Sequence, residues 1–480
     1  MSTYTVLSAL IHAYVNKKEK RSTLCIDTVK EMISPRLVNH LYQINSITRT
    51  WNPVEIVTPD SESSEREKKR FINAFLDGKS YTPTFDYTYA HSLNLQDDRV
   101  RLLKIGLQLD AFESLNTIDK FTLSIARKKV IEEIATCDLV EGIQSKNEKQ
   151  IAASMRVKYA MMDESLWAYA QTVYKEKTKR KLKKIPGQSL IDTSDYTMLK
   201  NKWFDAEDLK VAFEWVLSKY KILKNSTTNH GYTVVISDEV TDIDVRDKSM
   251  LGPAIFIPKD KRVKGKTLLA LVGHEIEGHA RQSINGAHLW GMECSSIKTD
   301  DETAYEGLAK RNDEDLDWKL YGHRTGAPLP YFIYGIKRAE EGWSFTQIFK
   351  EQLDLRLHMK CRVPWNESID YKHIDEAVME NALSGQYGAY RNTYRVMRGH
   401  TDMSNHEAYA FPKDAGYLRG WLLDKQLIKM GFGHFNEMAI IDYRLLPHLV
   451  KFDVRACHIP LPYKDYATEY WQTVLKPQLH

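Results

Sequence analysis

The chain has 480 residues, 42% hydrophobic and 28% charged, a composition that fits a globular protein of two domains or one large elaborated one. A net charge of +4 is too small to imply a nucleic-acid partner, and no apolar run reaches the length of a membrane span. The five cysteines, Cys25, Cys137, Cys294, Cys361 and Cys457, form no C-x-x-C pair. That argues against a disulfide framework or a cysteine-rich metal site, and the expected compartment is the reducing cytoplasm.

The N-terminal MSTYTVLSALIHAYVNKKEK has an apolar patch without a preceding basic stretch or a small-residue cleavage site, so it is not read as a signal peptide. Residues 1–195 read as a helical N-terminal region. RVRLLKIGLQLDAFESL carries Val100, Leu103, Ile105 and Leu107 near helical spacing, and RKKVIEEIATCDLVEGI is a second example. TPDSESSEREKKR (58–70) reads as an exposed loop running into a helix. KEKTKRKLKK (175–184), with seven basic residues, reads as a solvated helix end, and the breaker IPGQS follows it. Residues 196–480 form the second predicted unit.

In that unit FDAEDLKVAFEWVLSKY places Ala206, Leu209, Phe213, Val216, Leu217 and Tyr220 on one helical face, with Asp205 as N-cap and Asp208 three residues on. YTVVIS (232–237) and AIFIP (254–258) are predicted strands, and KDKRVKGK (259–266) leads into the helical run LLALVGHEIEGHARQS. Mainly helical sequence follows, with loops at GHRTGAPLP (322–330) and around Arg391 to Pro412. The fold class is therefore α+β: helix-rich, with a small sheet beside the histidine helix.

His274 and His279 are five residues apart. In an ideal α-helix four residues turn about 400°, returning to nearly the same face, whereas five turn about 500° and leave the two side chains roughly 140° apart. A π-type turn, with i to i+5 hydrogen bonds, brings them back onto one face. Gly278 suits such a departure from α geometry. Zinc takes imidazole nitrogens and carboxylate oxygens, and a catalytic site needs three protein ligands and an open position. His274 and His279 supply two, and Glu306 in DDETAYEGLAK is the candidate third, with Gly307 and Ala309 allowing close approach to the first helix. Glu275, next to His274, is placed to accept a proton from the attacking water. The two upstream strands offer an edge for an extended peptide.

HEIEGH, QSINGAHLW and DDETAYEGLA together resemble the tyrosine carboxypeptidase family, which includes bacterial QEGLA-motif proteins and the microtubule-associated tyrosine carboxypeptidase. RNTYRVMRG (391–399) and FPKDAGYLRG (411–420) extend the resemblance, and more diffusely it reaches the N-terminal half. It implies a zincin-like metallopeptidase that removes a C-terminal Tyr or Phe from a peptide or protein tail. It also implies His274, His279 and Glu306 as zinc ligands and Glu275 as the base. Two departures bear on substrate: Tyr305 stands where the family has Gln, and Gly278 where it has Thr. HEIEGH also matches the His-Glu-x-x-Gly-His form of dipeptidyl peptidase III, but YEGLAK lacks that enzyme's downstream Glu-Glu-x-x-Ala-Glu pattern. A catalytically silent module that binds a peptide tail is a third reading, opposed by the presence of all four site residues.

A carboxypeptidase must hold a terminal carboxylate, which Arg does best. Arg391, Arg395, Arg398 and Lys413 are the candidates, against the simpler account of an exposed basic helix. Tyr394 is a candidate oxyanion donor or a packing residue. The five cations of KDKRVKGK either steer an acidic tail or form a solvated loop, the latter being the simpler account. Cys294 reads as a small buried residue and His323 as a supporting group near the site.

Overall fold

The computed structural model describes residues 33–49, 51–114, 116–159, 162–179, 193–224, 231–240, 242–246, 252–290, 306–312, 330–361, 363–364, 367–385, 388–404, 407–429, 469 and 471–478. It is helix-rich with a small sheet, an α+β arrangement. Among the described residues no helix is long and apolar enough to cross a membrane. Cys294, Tyr305, His323, residues 1–32 and the division near residue 195 with its breaker lie wholly or largely outside them.

The N-terminal helices are α1 (Pro35–Thr48), α2 (Pro53–Ile56), α3 (Ser61–Leu76), α4 (Thr88–Ser92), α5 (Gln96–Asp110), α6 (Thr117–Gln144), α7 (Glu148–Lys158), α8 (Glu164–Lys179) and α9 (Thr193–Asn201). The polar stretch at 58–70 is mostly helix, because α3 already begins at Ser61. Helix α5 forms as its periodicity predicts but buries a different face. Leu102, Ile105 and Leu109 point inward, while Val100, Leu103 and Leu107 are exposed. Both sets recur at helical spacing, so periodicity alone gives two candidate stripes.

Strand β1 (Trp203–Phe204) precedes α10 (Ala206–Lys219). Asp205 caps α10 in a full capping box with Asp208, and the predicted apolar face from Ala206 to Leu217 is buried. Strands β2 (Thr233–Ser237), β3 (Asp244–Arg246) and β4 (Ala254–Pro258) form one sheet in the order β2-β4-β3. β2 runs parallel to β4, pairing Val234 with Ile255, and β3 runs antiparallel to it, pairing Val245 with Ile255. AIFIP is thus the central strand rather than an edge. Ala254, Ile255, Ile257 and Pro258 are all buried, as a strand paired on both sides requires. Its edge neighbour β3 is too short to register as an alternating pattern. β5 (Val263–Lys264) pairs with β1 in a separate ribbon.

From β5 one continuous helical rod follows: α11 (Gly265–Leu271), the π-helix Val272–Ala280 and α12 (Arg281–Trp290). After the 306–312 helix come α13 (Tyr331–Glu340), α14 (Phe345–Cys361), α15 (Glu376–Ser384), α16 (Ala389–Val396) and α17 (Ala415–Lys429). Arg391 to Val396 are therefore helical, and only the stretch after them is irregular.

Two apolar cores organise these elements, and they divide the chain differently from the sequence-based division. One joins residues of α1–α8 to residues of α13–α17. Its centre is Phe71, whose ring meets those of Phe345 and Phe349 edge-on at 5.0 and 4.9 Å. The other packs α10 and the inner residues of the sheet against Leu268, Val272, Ile276 and Ala280 of the rod.

Candidate metal centre

The sequence HEIEGH lies wholly within the nine-residue π-helix. Its wider turn puts residues five apart on one face, which is where the His274 and His279 rings meet, 4.7 Å between centroids and nearly perpendicular at 85°. The opposite face is pinned by Glu277. This fully buried carboxylate accepts from the hydroxyl of Tyr220, the C-cap of α10, and lies beside Arg281, one turn on. Of the two glutamates in the motif, Glu277 is therefore an anchor of the helix, while Glu275 stays next to His274 and is buried.

Glu306 reaches the histidines because two helices approach with almost nothing between them. A Cβ at Gly278 would meet Ala309 Cα and Cβ at 2.7 Å. The glycine is needed for this contact rather than for backbone freedom. Gly307 does the same on the other side, toward α17 and not toward the first helix: a Cβ there would stand 2.2 Å from the Gly420 carbonyl oxygen. Arg311 Nη1 then ties the 306–312 helix to Asp424 Oδ1 of α17 at 3.2 Å.

One nitrogen of His274, one of His279 and one carboxylate oxygen of Glu306 all lie within 4.8 Å of one another. His274 Nε2 is 3.3 Å from Glu306 Oε2. Two ligands about 2.0–2.1 Å from a tetrahedral ion stand about 3.4 Å apart, so this spacing suits zinc. Glu306 Oε2 is buried and has no hydrogen bond. An orphaned carboxylate oxygen facing imidazole nitrogens fits a cation as its missing partner. The side chains of His274 and Glu306 are 16% and 9% exposed, leaving the cluster an opening on the His274 side.

Tyr417, from the first turn of α17, also reaches this cluster, its ring 6.3 Å from that of His274. The charge on Glu306, together with burial, pushes its phenol well above the usual range, so the hydroxyl stays protonated and able to donate. Tyr417 lies in FPKDAGYLRG, where nothing in the sequence alone marks it as a site residue.

The other candidates are dispersed. Arg395 Nε donates to Asp414 Oδ2 at 2.9 Å and its Nη2 to Oδ1, a two-pronged pair over the Phe332 ring. Burial opposes its charge, but Asp414 more than offsets this and holds the guanidinium protonated. Tyr394 is turned toward the N-terminal helices: its hydroxyl accepts from Ser64 Oγ at 3.2 Å and its ring packs on Phe85. Tyr417, not Tyr394, is the tyrosine at the metal cluster. Arg391 is exposed, and Arg398 and Lys413 are half-buried. Of the basic run after β4, Lys259 pairs with Asp238 and Lys261 with Asp242, while Arg262 and Lys264 flank the Trp203 ring. Two of the five cations in that run are thereby paired locally with carboxylates.

No family model matches this sequence, and no curated protein matches it.

Proposed function

We propose that this protein is a zinc-dependent carboxypeptidase that releases an aromatic residue, Tyr or Phe, from the C-terminus of a peptide or protein tail. The observation that carries the reading is the convergence of His274, His279 and Glu306 beside Glu275, with a π-helix bringing the two histidines, five residues apart, onto one face. The motif resemblance supports the exopeptidase class and the preference for an aromatic residue.

Zinc held by these three residues supplies a Lewis acid that acidifies water and polarises a carbonyl. Glu275 takes the proton of the attacking water and returns it to the leaving amine. Tyr417 donates its hydroxyl hydrogen bond to the oxygen that gains charge. Burial of Glu275 and Glu306 keeps bulk water from screening these charges. Glu277, through Tyr220 and Arg281, holds the π-helix so that Glu275 and the two histidines keep their relative positions.

The test uses purified, zinc-loaded protein and peptides that differ at the C-terminus, with products read by mass spectrometry. The expected product is a single Tyr or Phe. His274→Ala, His279→Ala and Glu306→Ala should each lose zinc, whereas Glu275→Gln should keep it and lose at least ~10²-fold in turnover. Release of N-terminal dipeptides would place the protein with dipeptidyl peptidase III-like enzymes. Tight binding of tails without cleavage would make it a silent module.

A further inference from the structure

The three arginines of RNTYRVMRG have different surroundings. Arg395 is saturated, both prongs of its guanidinium resting on Asp414. Arg391 is exposed and acts through space on Asp242, which takes the Lys261 ammonium. Arg398, in the turn that ends α16, makes no hydrogen bond and no ion pair among the described residues, and its Nε is fully buried without an acceptor. Its guanidinium carbon lies 5.5 and 5.9 Å from the ring centres of Tyr394 and Phe411. Ring contacts compensate a desolvated cation less well than a carboxylate does. Burial, helped by the neighbouring charges of Arg395 and Arg391 and only partly offset by Tyr394 and Asp414, accordingly lowers its hold on its proton. The next residue, Gly399, takes a φ of +86° and packs on Val57 and Met155, which fixes the turn that carries Arg398.

Of these arginines Arg395 adjoins the metal cluster through Asp414 and α17, and Arg398 follows it by three residues. Asp414, which clamps Arg395, lies one turn before Tyr417, whose ring is 6.3 Å from His274. An anion arriving at Arg398 therefore comes to a guanidinium that is already partly desolvated and forms no ion pair with a described carboxylate, Asp414 acting on it only through space while clamped on Arg395.

We propose that Arg398 receives the terminal α-carboxylate of the substrate, and that Arg395, locked by Asp414, is a positioning residue that does not bind it. This assignment rests on the carboxypeptidase reading. It selects one cation among the four that the sequence offered.

The experiment compares kcat/KM of the zinc-loaded full chain on a peptide ending in free Tyr and on the same peptide amidated. Wild-type protein should favour the acid by roughly 10²-fold or more, since amidation removes the charge that Arg398 pairs with. Arg398→Gln should bring the two rates to within a few-fold of each other, with zinc content and melting temperature retained. Arg398→Lys keeps the charge but not the two-pronged geometry, and should raise KM for the acid about 10-fold while preserving the preference. Arg391→Gln and Lys413→Gln should leave the acid-to-amide ratio intact. A full ratio in Arg398→Gln, or its loss in Arg391→Gln or Lys413→Gln, overturns the assignment while the carboxypeptidase reading stands. Equal rates in wild-type protein overturn that reading itself. Should Arg398→Gln fail to fold, an unchanged KM for the acid in Arg398→Lys refutes the assignment alone.

Discussion

The sheet core is drawn almost entirely from residues 199–280, with Val474 added, whereas the helical core joins residues 33–174 to residues 331–427. In the first, chain neighbours are spatial neighbours: the capped helix α10, three strands and the π-helix follow one another and pack together. In the second, neighbouring helices also pair, but the core closes only where the N-terminal helices meet helices some hundreds of residues away, as Phe71 does with Phe345 and Phe349. The metal cluster lies where the two meet, with His274 and His279 from the sheet side and Tyr417 from a helix of the other core. Local sequence is thus a good guide to one half of the site and a poor guide to the other.

The largest test of this contrast falls on the helical core. Glu148 at the start of α7 accepts hydrogen bonds from Thr401 and from the backbone of Asp402, and lies 3.3 Å from the fully buried His400 imidazole. His400 Nε2 in turn faces the Tyr409 carbonyl oxygen at 3.1 Å. Removing one partner of such a buried pair costs about 3–5 kcal/mol, so Glu148→Ala should lower unfolding stability in urea by that amount. The loss should have a pH signature. Burial opposes the Glu148 charge, but His400 and Thr401 outweigh it and hold the carboxyl below its ordinary value. A depressed folded-state value stabilises above the unfolded carboxyl pKa of about 4.3 and fades as pH falls through the folded value. Wild type should lose its advantage over Glu148→Ala on acidification below that point. An advantage that grew there would show the sign to be wrong.

Next in size is the choice of face on α5. Ile105→Ala removes a buried side chain and should cost about 2–5 kcal/mol, while Leu107→Ala, at a residue 71% exposed, should stay within about 0.5 kcal/mol. Similar losses at both would mean that the outer stripe is also covered.

Gly278→Val sharpens the junction between the cores. The added methyls collide with Ala309, and overpacking of this kind costs about 1–3 kcal/mol. The 306–312 helix must move away to relieve it, so zinc affinity measured by competition with a chelator should fall together with stability. Unchanged zinc affinity would show that Glu306 is placed by something other than this contact.

The smallest effect belongs to the sheet core. Asp205→Ala removes the α10 capping box and should cost ~1 kcal/mol in thermal unfolding. Because the cap is local, zinc content should not change with it.

HEIEGH shows how far the site was legible. A five-residue spacing of two histidines in an apolar run needs a π-turn to serve one metal, and the backbone there is a π-helix. Glu306 was likewise within reach, since a glutamate followed by Gly307 and Ala309 marks a helix able to pack closely. Tyr417 and the separate fates of the three arginines were not. They depend on which groups meet across long separations, and Asp414 carries no sign in the sequence that it clamps Arg395.

Periodicity and capping therefore determined α5 and α10 and the strands at 233–237 and 254–258, and residue spacing with the motif resemblance named the three candidate ligands, because each signal lies in residues close together in the chain. Only the tertiary structure decided that AIFIP is the central strand, that α5 buries Ile105 rather than Leu107, and that Gly278 faces Ala309. Those outcomes are set by which surfaces meet across long separations, where steric fit and the pairing of buried charge act on residues that the chain order does not bring together.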